Sequence, residues 1–321
     1  FRRWLRERYG SLENLNSSWQ TGVWSQEYSD WAQIPVPRPA LMHAAALKLA
    51  YRRFRSGNWL KFYRAQADAL RQAGARRIST HCYNMTWDVP TTGIATTFAG
   101  VCAEAGAEYA IYWHLRQHSA GVEMEHGAVL RHDGKPTRIA KAIKDAIAAV
   151  ANQPAMASPD DRLLVFSYEQ HWANEQRPQP GTKFDYRVEL EQNWFGAARD
   201  VFGAVRIGRP SDAGPQHKLI LAPHLQMLDR QAMQNFSACL NAGCTVVITA
   251  DFGRLDQDNN VLRSAPLDCW RDLAPLPDFE MMHLKDTAEV EGELDKTPLK
   301  ARLHWAVPMS EAGEPWGSLS G

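Results

Sequence analysis

None of the five cysteines, Cys82, Cys102, Cys239, Cys244 and Cys269, forms a Cys-x-x-Cys pair. That spacing is what a zinc knuckle needs, so no metal site and no cofactor are expected. An odd number of thiols in 321 residues fits reduced, buried packing side chains and a cytoplasmic setting. No stretch is apolar for the roughly eighteen residues that a membrane-spanning helix requires, so no membrane partner is expected. The chain also lacks a charge excess. Its 36 basic residues balance 36 acidic ones, which argues against nucleic acid or an acidic membrane surface as partner. No internal repeat and no signal peptide are visible. The start at Phe1 instead of Met reads as a fragment, so a missing leader carries no weight.

What the chain does have is an ordinary globular composition, 45% hydrophobic and 22% charged, enough for one large or two medium domains. Tryptophan is abundant at twelve residues, and Trp4, Trp19, Trp24 and Trp31 crowd the N-terminus. An indole there either stacks on a sugar face while its N–H bonds a hydroxyl, or fills the core.

Periodicity orders the rest. Phe1, Trp4 and Leu5 share a helix face, Tyr9-Gly10-Ser11-Leu12 reads as a glycine C-cap followed by a serine N-cap, and a second helix reaches residue 20. Pro35, Pro37 and Pro39 mark a loop, followed by a long helix at about 41–73 with a break at Gly57. Leu47, Tyr51 and Phe54 mark its apolar face, and Trp59, Phe62, Tyr63 and Leu70 continue it. Residues 76–81 and 109–113 read as strands, and 138–151 as a helix on Ile139, Ile143, Ala146, Ile147 and Val150. A proline-containing linker spans 152–161. Beyond it, apolar strands at 163, 205, 219 and 244 alternate with helices at 186–202 and 229–241, the pattern of a parallel sheet. The last thirty or so residues read as polar and poorly patterned.

The loop after Trp113 is the candidate site, since α/β barrels place functional side chains beyond the strands' C-terminal ends. Arg116 donates, Glu123 accepts and His126 does either, which suits a polyol; the other reading is a solvated charged loop. The acidic turn at 251–260 lacks EF-hand spacing, so no calcium site is expected there.

These stretches carry a resemblance. Tyr112-Trp113-His114-Leu115-Arg116-Gln117 followed by Gly121-Val122-Glu123-Met124-Glu125-His126-Gly127-Ala128 is similar to the "YFRWRQ … G-x-E-x-x-H-G-A" stretch of family 42 glycoside hydrolases, the β-galactosidase type. Phe1-Arg2-Arg3-Trp4-Leu5, Arg8-Tyr9-Gly10-Ser11, Leu15-Asn16, Trp19 and Val23-Trp24-Ser25 resemble the family's "F-R-x-W-L … RYG … LN-x-x-W-G-x-x-FWS". Phe166-Ser167-Tyr168-Glu169, Trp172-Ala173 and Lys218-Leu219-Ile220-Leu221-Ala222-Pro223 resemble its second domain.

The resemblance implies a partial (β/α)8 barrel over 1–152, a flavodoxin-like, glutamine amidotransferase-like trimerisation domain over 160–285, and the start of a truncated segment over 286–321. It implies retaining hydrolysis of terminal β-galactosides or galacto-oligosaccharides by a homotrimer, using two carboxylates about 5 Å apart. Glu123 and His126 match the family's galactose-binding pair, and Trp24 a tryptophan lining the site. Arg116 joins them as a donor, and Trp87 matches the tryptophan closing the nucleophile motif. No catalytic residue is assigned: the acid/base glutamate precedes the "F-R-x-W-L" block, and the nucleophile's "E-Q-x-P-G-x-x-N-W" motif does not occur. The chain is therefore expected to be an incomplete, inactive copy of a β-galactosidase. The alternative is a non-catalytic remnant that binds sugar or oligomerises. In the second domain Ala222-Pro223-His224-Leu225-Gln226 stands where an amidotransferase has its G-x-C-x-G elbow, so that chemistry is not expected and Cys244 is read as structural.

Overall fold

The computed structural model describes residues 1–38, 44–75, 115–121, 124, 128–150, 161–176, 184–249, 251–262, 282–294, 296–306 and 317–320. The chain divides into two compact units, one formed by Phe1–Ala75 with Asp160–Gly321, the other by Arg76–Pro159. The expected strands at 76–81 and 109–113, and with them the expectation of a barrel of fewer than eight strands, fall outside the described residues.

The larger unit begins with the expected helical hairpin, α1 (Arg2–Tyr9) and α2 (Leu12–Trp19). Gly10 takes φ 75°, a left-handed turn that costs glycine nothing, and the Ser11 hydroxyl accepts the Asn14 amide at 3.1 Å as N-cap. Short 3-10 turns follow at Val23–Ser25 and Trp31–Gln33. The long helix α3 (Ala45–Gln72) runs unbroken through Gly57, where a break was expected. A glycine in a helix interior costs only about 1 kcal/mol, less than interrupting a 28-residue hydrogen-bonded ladder would. Leu5, Leu15, Trp19, Ile34, Leu47 and Ala50 form the core that joins these helices. Trp19 is buried there, and Trp4 and Trp31 pack on the same cluster, so three of the four early tryptophans fill core.

The four expected strands form one sheet. β1 (Arg162–Val165), β2 (Arg206–Gly208), β3 (Leu219–Ala222) and β4 (Thr245–Ile248) are all parallel, in the order β2-β1-β3-β4. Leu163, Val165, Ile220 and Ala222 face one layer of core with Phe236 and Phe252. Leu164 and Leu221 face the other with Ala198. Burial on both faces explains why β1 and β3 read as continuous apolar runs and not as alternations. In the smaller unit the described residues comprise the 115–121 and 128–137 segments, Met124 and α4 (Arg138–Val150), the helix expected at 138–151. Between the strands of the sheet lie α5 (Tyr168–Gln176); then α6 (Tyr186–Glu189), a π-wound turn at Leu190–Phe195 and α7 (Gly196–Phe202); and α8 (Arg230–Asn241). Asp229 caps α8 by accepting the Ala232 amide at 2.7 Å. Cys239 and Cys244 are buried free thiols, and burial with the neighbouring Cys244 sulfur pushes Cys239 up to about 11, the signature of packing thiols.

The C-terminal residues correct the sequence reading. Instead of lacking pattern, they form an antiparallel sheet of β5 (Met282–Leu294), β6 (Thr297–Ala306) and β7 (Gly317–Ser320), in the order β6-β5-β7. Glu289, Glu291 and Glu293 alternate with Val290 and Gly292, but the register shifts between His283 and Ala288 and breaks the period-two signal there.

Candidate functional site

Glu123, His126 and Trp87 fall outside the described residues. Trp24 lies in the 3-10 turn Val23–Ser25 of the larger unit. Arg116 is described, in the smaller unit. It pairs with Leu130 across an isolated parallel bridge, and Leu130 pairs in turn with Pro136. The Leu130 amide donates to Leu115 O at 2.7 Å and the Gln117 amide to Leu130 O at 3.2 Å. The Arg116 guanidinium donates to His132 O from both Nε, at 3.2 Å, and Nη2, at 2.6 Å. Its geometry is thus that of a clamp across the base of the loop that follows it.

The best-formed polar cluster sits elsewhere, at the carboxyl edge of the parallel sheet. Asp251, beyond β4, is 0% exposed. Its carboxylate accepts from the Thr249 hydroxyl, from Gln226 Nε2 at 2.9 Å, and faces His224 Nδ1 at 3.3 Å. Burial pulls the Asp251 carboxyl upward, but His224 and Thr249 outweigh it and hold the group below its ordinary range. His224 takes φ 51°, left-handed for a non-glycine residue, and its amide donates to Thr249 Oγ1 at 2.7 Å. The network continues inward through Asn174 to Gln170, whose Oε1 accepts the Met227 amide at 2.8 Å. Tyr186, which accepts the Ser167 amide, is pushed up by burial with a contribution from the Asp251 charge. No periodic signal marks this cluster, because its members come from helix α5 and from the segments that follow β3 and β4.

The acidic turn is explained by its bonds. Asp256 accepts the amides of Asp258 and Asn260, both at 2.9 Å, Asn260 Nδ2 donates to Ser18 O at 2.7 Å, and Tyr9 donates its hydroxyl to Asp258. Burial, followed by the bond to Asp258, pushes Tyr9 up to about 12. Among the described residues no group of three or more His, Cys, Asp or Glu side chains could hold a metal ion, and no helix is long and apolar enough to cross a membrane.

Comparison with known proteins bears on the whole chain. A family model described as beta-galactosidase matches residues 1–99, and one described as beta-galactosidase trimerisation domain matches residues 163–319. A β-galactosidase of Geobacillus kaustophilus is 22% identical over 334 residues, covering 81% of this chain and 49% of its own length. One of Alicyclobacillus acidocaldarius is 23% identical over 386 residues, covering 95% of this chain and 55% of its own length. Among solved structures, a polyextremophilic β-galactosidase from the haloarchaeon Halorubrum lacusprofundi superposes with TM-score 0.82 at 20% identity, over 99% of this chain and 59% of that one. A β-galactosidase from Bacillus circulans sp. alkalophilus superposes with TM-score 0.78 at 17% identity, over 99% and 59%. The chain spans about half the length of the curated relatives it matches. Two models of β-galactosidases match successive parts of the chain, over its N-terminal and second-domain motif blocks but not over the 112–128 block between them, and the chain belongs to the family 42 glycoside hydrolases.

Proposed function

We propose that the protein to which this sequence belongs hydrolyses terminal β-galactosides with retention, and that this sequence carries its sugar-binding loop and its oligomerisation domain but neither catalytic carboxylate. The observation that carries the reading is the succession of the two family matches, 1–99 and 163–319. One alignment supports the reading of the barrel as shortened. That with the Alicyclobacillus enzyme runs over 386 residues, more than the 321 of this chain, so the relative carries positions that this chain does not.

In this reading Glu123 and His126 hold adjacent galactose hydroxyls, with Trp24, Trp87 and Arg116 completing the carried-over set. A site built to bond a hydroxyl rejects a misplaced one because its own polar groups are then left unpaired. The two carboxylates, about 5 Å apart, act as acid/base and nucleophile and are contributed by residues outside these 321. A flavodoxin-like second domain assembles the homotrimer, and the protein works on galacto-oligosaccharides in the cytoplasm.

The test uses an intact parent enzyme that carries both carboxylate motifs. Glu123→Gln there should lower kcat/KM on a nitrophenyl β-galactoside on the order of a hundredfold or more, with an unchanged melting midpoint. Unaltered kinetics would remove Glu123 from the site. The 321-residue chain by itself should show no hydrolysis above background, and turnover by it would overturn the assignment of both carboxylates to residues outside it.

A further inference from the structure

An open parallel sheet offers one natural ligand site, the crevice beyond the carboxyl ends of its strands where successive connections run to opposite sides. Here the order β2-β1-β3-β4 puts that crevice between β1 and β3, since the chain leaves β1 toward β2 and returns to the other side for β3. Three segments leave this edge: the start of α5 after β1, residues 223–227 after β3, and the turn at 251–260 after β4.

All three converge on one side chain that comes from outside the sheet. Arg53, on α3, donates from Nε to Glu169 in the first turn of α5, from Nη1 to Gln257 O in the turn after β4 at 2.7 Å, and from Nη2 to Met227 Sδ after β3 at 3.6 Å. The Arg53 side chain is only 8% exposed. One turn earlier on α3, Leu49 is buried against Ala173, Met227 and Leu255, with Trp172 at the margin. A guanidinium is a planar fork of donors, suited to acceptors presented from several directions at once. A single side chain of the N-terminal segment therefore ties together the segments that leave three strands at this edge.

We propose that the carboxyl edge of the second domain is a docking socket for helix α3, in which Arg53 occupies the ligand crevice as a built-in guanidinium. The socket binds this chain's own helix. Arg53 is a positioning residue: it fixes the N-terminal helices on the parallel-sheet domain.

The test is chemical rescue in the full chain. Arg53→Ala should lower the thermal midpoint by several degrees. Millimolar ethylguanidinium should restore much of the loss, whereas ethylammonium at equal concentration should not, and neither should raise the midpoint of the unmodified chain. Three results overturn the proposal: an Arg53→Ala midpoint equal to that of the unmodified chain, equal effects of the two cations on the variant, or the same ethylguanidinium shift in both proteins. Should Arg53→Ala not fold, Arg53→Lys keeps the charge and loses the fork. Amide exchange should then accelerate together in the first turns of α3 and in α5 while α8 stays protected, and unchanged exchange would count against the socket.

Discussion

Asp251 is the residue on which the chemistry of the described structure turns. A carboxylate at zero exposure carries a large desolvation cost, and it stays ionised because His224, Gln226 and Thr249 all point at it. Removing the charge while keeping the shape leaves those partners without it, so Asp251→Asn should cost about 3 kcal/mol, read from denaturant unfolding. The pH dependence follows the direction of the shift. The folded-state carboxyl lies below its unfolded value of about 3.9, so its contribution is present above that pH and is lost as pH falls through the folded value. The acid limb of the stability curve should be flatter in Asp251→Asn than in the unmodified chain, and parallel limbs would refute this. Little of this cluster is legible in the sequence. An aspartate 27 positions from its histidine, at the end of a strand, produces no spacing signal. The early tryptophans show the reverse difficulty. Composition offers both sugar stacking and core filling for each, and burial decides for the core at Trp19, whose indole N–H bonds Tyr9 Oη at 2.9 Å and not a sugar.

At the scale of elements, the parallel sheet is legible because strands buried on both faces need runs such as Leu163-Leu164-Val165 and Leu219-Ile220-Leu221, which little else produces. The antiparallel sheet is not, because a register shift scrambles the alternation over part of its longest strand. Gly208 shows a constraint that only coordinates reveal. Its φ is unremarkable, yet a Cβ there would lie 2.8 Å from Leu163 Cδ1 and 3.2 Å from Asp212 Oδ2, so a side chain at 208 would have to displace its neighbours. Gly208→Ala should cost about 1–3 kcal/mol through overpacking of the β1–β2 pair. Gly203→Ala, by contrast, meets open space and should act through backbone strain at φ 77° alone. Equal midpoints for Gly208→Ala and the unmodified chain would show that Leu163 can move aside. The far half of α3 presents another face on which periodicity misleads. Spacing puts Trp59 and Phe62 on the continuation of the buried stripe, yet they are 66% and 55% exposed, whereas Leu47 and Leu49 at the start of the helix are buried.

For the whole molecule, the sequence suggests a cut near residue 152, but the hydrogen bonds of the larger unit run across it. Tyr9 reaches Asp258, Ser18 receives Asn260, and Arg53 spans Glu169 and Gln257, joining residues more than a hundred positions apart. Segments tied this way share one folding equilibrium, because neither can leave without exposing the polar partners and the Leu49–Met227–Leu255 cluster of the other. The consequence is cooperative unfolding of Phe1–Ala75 with the parallel-sheet domain. In native-state hydrogen exchange, α2 and β3 should lose protection at one denaturant concentration. Tyr9→Phe bears on the same link. The phenol is shielded and donates to a carboxyl that burial raises, so removing it strips Asp258 of a donor in a half-buried place and should cost about 1–2 kcal/mol. That loss should lower the exchange midpoint of both elements by the same amount. A fall confined to α2, with β3 unchanged, would mean that the N-terminal helices open on their own and that the boundary suggested by the linker also governs stability.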